Sequence, residues 1–143
     1  MAKVAISKDI AAPQEKVWEV LANPARFEEW LTLHTKWKSE PPTELAAGSK
    51  MSEVLTIMGM ANTIDFTVGT YDAPNTMSMS GVGMAGAKIT FTLSVEAAGD
   101  GSTVTIASEF ISQMMVGAVG GAIERASAKE IEASLEKFQS LVA

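Results

Sequence analysis

The chain has 143 residues and a net charge of −6, with 47% hydrophobic residues, 20% charged residues and no cysteine. That length suits one domain with a self-sufficient core, spanning residues 1–143. The acidic balance excludes phosphate backbones as partners, because counterion release cannot drive their binding. The missing thiols exclude disulfides and sulfur-ligated zinc.

The N-terminus carries no apolar signal run, and cysteine-free composition fits the cytoplasm. The longest uncharged, largely apolar stretch, Phe110 to Ile123, includes Ser112, Gln113 and three glycines. It falls short of the roughly 18–20 apolar residues needed to span a bilayer, so no stable membrane insertion is expected.

Val4, Ile6 and Ile10 alternate with polar residues and predict an opening strand. Pro13 suits the first position of a helix whose apolar face is Val17, Trp18, Leu21 and Ala22. Asn23 can cap a second short helix that starts at Pro24 and turns Phe27, Trp30 and Leu31 to one side. Lys36-Trp37-Lys38 reads as a strand edge, ended by Pro41-Pro42. Further strands follow: Met51 to Met58; Ile64, Phe66 and Val68; Met77 and Met79; Ile89 to Val95; and Val104 to Phe110. Tyr71 to Asn75 reads as a turn, and Gly99-Asp100-Gly101 as a hairpin. The period then changes. Ile123, Ser127, Ile131, Leu135, Phe138 and Val142 mark one amphipathic helix from about Val119 to Leu141.

This order predicts an α+β fold: a strand, two short helices, about six hairpin-linked strands and a long helix. One helix covers such a sheet only if the sheet curls around it. That geometry favours an internal cavity.

The chain resembles the START/SRPBCC superfamily, with its birch-pollen-allergen-like helix-grip fold. Pro13 to Leu21 is similar to the family's P-x-x-V-W-x-x-L run, and Asn23 to Trp30 to the run that follows it, with Asn in place of the usual Asp. Within the superfamily it resembles the polyketide cyclase/dehydrase-like group. Trp30 to His34, Trp37 and Gly59 to Ile64 are similar to an actinobacterial branch labelled as toxins of type II toxin–antitoxin pairs. The resemblance implies a curved antiparallel sheet of six to seven strands gripping the C-terminal helix. On the toxin side, it implies a small antitoxin protein as partner.

Gly81-Val82-Gly83-Met84-Ala85-Gly86 spells a dinucleotide-binding pattern, but alternating strand residues follow it, not a helix. A hairpin is expected, with its glycines serving the turn. His34 is the only histidine, so a histidine metal cluster is impossible. It is a candidate acid or base, with a hydrogen-bonded structural role preferred. Glu53 shares a strand face with Met51, Leu55 and Ile57 and is the best acid candidate, with a solvated or salt-bridged state preferred. Asp65 and Glu109 are expected to face solvent by parity. Whether Trp37 and Met51 face inward is open, because a one-residue slip reverses a strand's faces.

No nucleophile elbow or Ser-His-Asp pattern is readable. The sequence-stretch Gly117 to Ala122 suggests either a mobile gate or close helix–sheet approach. Methionines at 58, 60, 77, 79, 84, 114 and 115 fit either core filling or an adaptable lining.

The expected function is non-catalytic binding of a small hydrophobic, lipid-like or aromatic molecule, with no cofactor. The expected lining is Trp18, Trp30, His34, Leu55, Phe66, Met77, Met79, Phe91, Phe110, Met114, Ile123, Ser127 and Ile131. The alternatives are a toxin acting through a protein partner, and a cyclase or dehydratase using His34 or Glu53.

Overall fold

In the computed structural model, residues 2–38, 40–42, 45–57, 60–83, 88–111 and 118–142 are described. Strand β1 (Ala2–Ile10) leads into helix α1 (Gln14–Leu21). Pro13 sits one position before that helix, as its N-cap, with an extended ψ of 155°. The Asn23 side chain then accepts from the Ala25 N–H at 3.1 Å, opening a tight turn of Pro24–Arg26 that runs into the short helix α2 (Phe27–Trp30).

Six strands follow: β2 (His34–Trp37), β3 (Lys50–Ile57), β4 (Met60–Asp72), β5 (Thr76–Val82), β6 (Lys88–Ala98) and β7 (Gly101–Ile111). The long helix α3 (Ala118–Val142) ends the described chain. The seven strands form one antiparallel sheet in the order β1-β7-β6-β5-β4-β3-β2. The first strand therefore closes against the last, and β2 forms the opposite edge.

Parity sorts the two faces. Val104, Ile106 and Phe110 on β7, Ile89, Phe91, Leu93 and Val95 on β6, and Met77 and Met79 on β5 are all buried. Their neighbours in sequence are mostly threonine and serine, which turn outward. Helix α3 lies across the inner face. Its buried stripe is Ser127, Ile131, Ser134, Leu135, Phe138 and Val142, each 1% exposed or less. It runs along β1 at one side and reaches α2 and β3 at the other. The sheet thus curls around the helix in the helix-grip arrangement.

Two glycines have specific reasons. Gly99 adopts φ +62° in the two-residue turn between β6 and β7, a conformation costly for other residues. Gly81 lies inside β5, where a Cβ would sit 2.4 Å from the Asp65 carbonyl oxygen. Its role is therefore close strand approach, not turn geometry. The next described element after the Gly81–Gly83 run is the strand beginning at Lys88, which removes the dinucleotide reading. Positions 84–87 of the expected hairpin lie outside the described residues.

Close helix–sheet approach fails as the reason for Gly121. A Cβ there would meet only the Arg125 side chain, at 3.4 Å.

Candidate functional site

The two acid–base candidates are brought together. His34 Nδ1 lies 2.6 Å from Glu53 Oε1, and the two side chains are 1% and 0% exposed. The cause is the β2–β3 register, which sets His34 opposite Leu55 on the face that Leu55 shares with Glu53. His34 pairs with Leu55, and Trp37 with Glu53, with an irregularity between His34 and Lys36. Residues three apart in a regular strand point to opposite faces. The bulge re-aims the strand, so that the His34 side chain is buried while Trp37 packs against the same core.

Aromatic rings extend from this pair. His34 lies 4.9 Å from Trp37 between ring centroids, and Trp37 is stacked on Phe27 at 5.8 Å. Phe27 meets Trp30 edge-on at 5.8 Å, and Trp30 meets Phe138 of α3 at 5.2 Å. Among the described residues, two polar atoms in this cluster find no partner: Glu53 Oε2 and Trp30 Nε1. Burial pushes the Glu53 carboxyl above the ordinary carboxylate range, and the hydrogen bond and charge of His34 oppose that rise. The pair can hold one proton between two buried heteroatoms, with a carboxyl oxygen left over to meet a further polar group. Glu53 is thus bridged, not solvated. Asp65 is exposed, and Glu109 is partly exposed and 3.7 Å from Lys3 Nζ.

The other expected lining residues fall into three places. Leu55, Phe66, Met77, Met79, Phe91 and Phe110 are buried on the inner face of β3 to β7, and Met51 is also inward. On α3, Ser127 and Ile131 are fully buried and Ile123 is half-buried. Trp18 belongs elsewhere. Its ring meets Tyr71 edge-on at 5.8 Å, and its indole N–H donates to the Tyr71 hydroxyl at 3.4 Å, near the far end of β4 from His34. Met114 lies outside the described residues, as do Met58, Met84 and Met115.

Sequence reasoning missed Phe27 and Phe138 as members of the ring cluster beside the pair. It also missed the clamp that holds α3 to the loop after α2. Thr32 N–H donates to Ser134 Oγ at 2.9 Å, and Thr32 Oγ1 donates to Glu130 Oε2 at 2.6 Å. Ser108, buried and without a partner for its hydroxyl, was missed too. Its parity with Val104, Ile106 and Phe110 was the available signal.

The interior is closely filled around Phe66, Met77, Met79 and Phe91, none more than 3% exposed. Open hollows lie on the outer face of the sheet, one of them touching Phe66 beside Lys50, Ser52 and Thr67, and two others are larger or as large. Of these two, one, of about 350 Å³, is lined by Lys3, Ala5, Thr90, Thr92 and Glu109, with Val4 and Ser108 at its floor. The other, of about 580 Å³, involves Asp65, Thr67, Ser80 and Lys88. Neither includes an expected lining residue. Among the described residues, no helix is long and apolar enough to cross a membrane.

Comparison with known proteins agrees with this architecture. A START superfamily protein from Mycobacterium smegmatis superposes with a TM-score of 0.81 at 12% identity, covering 99% of this chain and 97% of that one. The ginseng major latex-like protein 151 from Panax ginseng gives a TM-score of 0.74 at 11% identity, covering 99% and 97%. In sequence, an uncharacterized protein of Mycobacterium tuberculosis is 32% identical over 141 residues, 99% of each chain. A second protein of that organism, named a toxin, is 30% identical over 143 residues, 100% of this chain and 99% of its own. The profile of the family described as polyketide cyclase / dehydrase and lipid transport matches residues 1–143, and the chain belongs to that family.

Proposed function

We propose that this chain binds a small apolar molecule between the curled sheet and α3, with the His34–Glu53 pair orienting it. The observation that carries this reading is the pair itself. A fully buried carboxyl with one oxygen unpartnered is costly to a fold. A guest that donates a hydrogen bond to Glu53 Oε2 removes that cost. Apolar burial would supply most of the affinity, and one polar contact the orientation. Because the methionine and phenylalanine side chains fill the interior, a guest has to displace them, and Met77 and Met79 are the most adaptable.

Native mass spectrometry of gently purified protein tests this. A discrete extra mass that disappears on denaturation is expected, and Glu53→Gln should weaken its retention. A bare chain in every preparation rejects the reading. The same pair is where acid–base chemistry would reside, as in a cyclase or dehydratase. Turnover of a recovered guest by wild type but not by His34→Gln would convert binding into catalysis.

The relative named as a toxin favours a second reading, in which the chain acts through a small protein partner such as an antitoxin. Growth arrest on expression alone, relieved by a co-purifying protein, would support it. Harmless expression with no partner rejects it.

A further inference from the structure

We infer that Ser108 and Ser127 form a two-hydroxyl anchor for one oxygen of a neutral, otherwise apolar guest. The anchor rests on the reading that the interior admits such a guest. Helix α3 runs parallel to β1. The Lys3 N–H donates to Glu124 Oε1 at 3.3 Å, and Gln139 shares a hollow with Asp9 and Ile10 at the other end. Ser127 lies about one helical turn beyond Glu124. That places it at the level of the β1 residues just past Lys3, on the buried stripe of the helix. Ser108 pairs with Val4 at this same level, and with Phe91 on its other side. One hydroxyl therefore comes from the helix and one from the sheet.

Both serines are buried, at 3% and 0% exposure, and neither hydroxyl finds a partner among the described residues. They also do not bond each other. Strand and helix hydroxyls commonly bond a nearby carbonyl, and Ser134 does so to Glu130 at 2.8 Å. Ser127 and Ser108 do not. The surrounding apolar residues Val4, Ile6 and Ile123 are only half-buried, in contrast to the sealed centre of the sheet. The residues beside the two buried hydroxyls on β1 and the start of α3 are thus less covered than those at the centre of the sheet.

The chemistry selects the guest. Two neutral hydroxyls can satisfy a carbonyl, phenol or alcohol oxygen. They cannot offset the burial of a carboxylate or an ammonium group. The class is a ketone, phenol or alcohol on an aromatic or aliphatic skeleton.

The test compares 2-naphthol with naphthalene by isothermal titration of the wild-type chain and of Ser108→Ala and Ser127→Ala. Wild type should bind 2-naphthol about tenfold tighter than naphthalene, the effect of one good hydrogen bond. Each alanine variant should remove most of that preference and leave naphthalene affinity unchanged. In the absence of probe, each variant should melt at or above the wild-type temperature, because the lost hydroxyl had no protein partner. Equal binding of the two probes, or full preference retained in both variants, overturns the anchor but leaves the binding reading standing. Binding of neither probe overturns both. A lower melting temperature in either variant shows a hydroxyl already satisfied in the free protein, and also overturns the anchor.

Discussion

At the scale of single residues, Glu53 is the position where burial and charge conflict most. Its carboxyl is held above the ordinary range by burial, with His34 opposing. A raised folded value means that the folded chain holds this proton more tightly than the unfolded chain. The stability contributed by that proton is fully present below the unfolded value. It is lost as pH rises through the folded one. Urea unfolding from pH 5 to 8 should show stability falling with rising pH, and Glu53→Gln should flatten that dependence. A wild-type slope unchanged by the substitution would show that other groups control it. The individual candidates, His34 and Glu53, were legible from residue type and strand parity. Their contact was not, because periodicity within a strand does not set its register against a neighbour, here His34 opposite Leu55. The bulge between His34 and Lys36, which brings Trp37 to the same face, leaves no period of its own in the sequence either.

At the scale of elements, most strands and the long helix follow directly from alternation and from three-to-four spacing. Ile89 to Val95 alternates cleanly and is buried at each expected position. The helix was expected from Val119 to Leu141 and spans Ala118–Val142. What the pattern could not supply was contact between distant elements. Gly81 looks like part of a glycine-rich turn, yet it is the point where β5 passes close to the β4 backbone. Gly81→Ala should cost about 1–3 kcal/mol, as overpacking of a tight site does, because the clash is with backbone that cannot rotate away. Denaturant unfolding would measure this, and a neutral outcome would mean that the two strands separate freely there. Trp18 shows the same limit. Its apolar helical face was legible, but its partner Tyr71, from near the end of β4, was not.

At the scale of the whole molecule, the grip is uneven. The C-terminal half of α3 is pinned by Phe138 on Trp30 and by Thr32 bonding Ser134 and Glu130. From Gly121 to Ala126, no residue is fully buried. Helical amides exchange faster where few buried contacts hold them. Hydrogen exchange should therefore be roughly tenfold slower for Ile131 to Phe138 than for Ala122 to Ala126, and a bound guest should slow the second group selectively. Uniform exchange along the helix would contradict this division.

The pairing of β1 with β7 has a consequence for how the protein is made. Ala2 lies opposite Phe110 and Ile10 opposite Ser102, so β1, made before the other six strands, waits for β7, the last of them, before it gains a neighbour. On the ribosome, β3 to β6 can zip together as successive hairpins, while β1 stays an unpaired edge and the inner face lacks its helix. Long-range closure of this kind is slow and leaves apolar surface open in the meantime. A nascent chain stalled before β7 is therefore a half-built roll with its interior facing the solvent, the stage at which aggregation or a chaperone competes with folding.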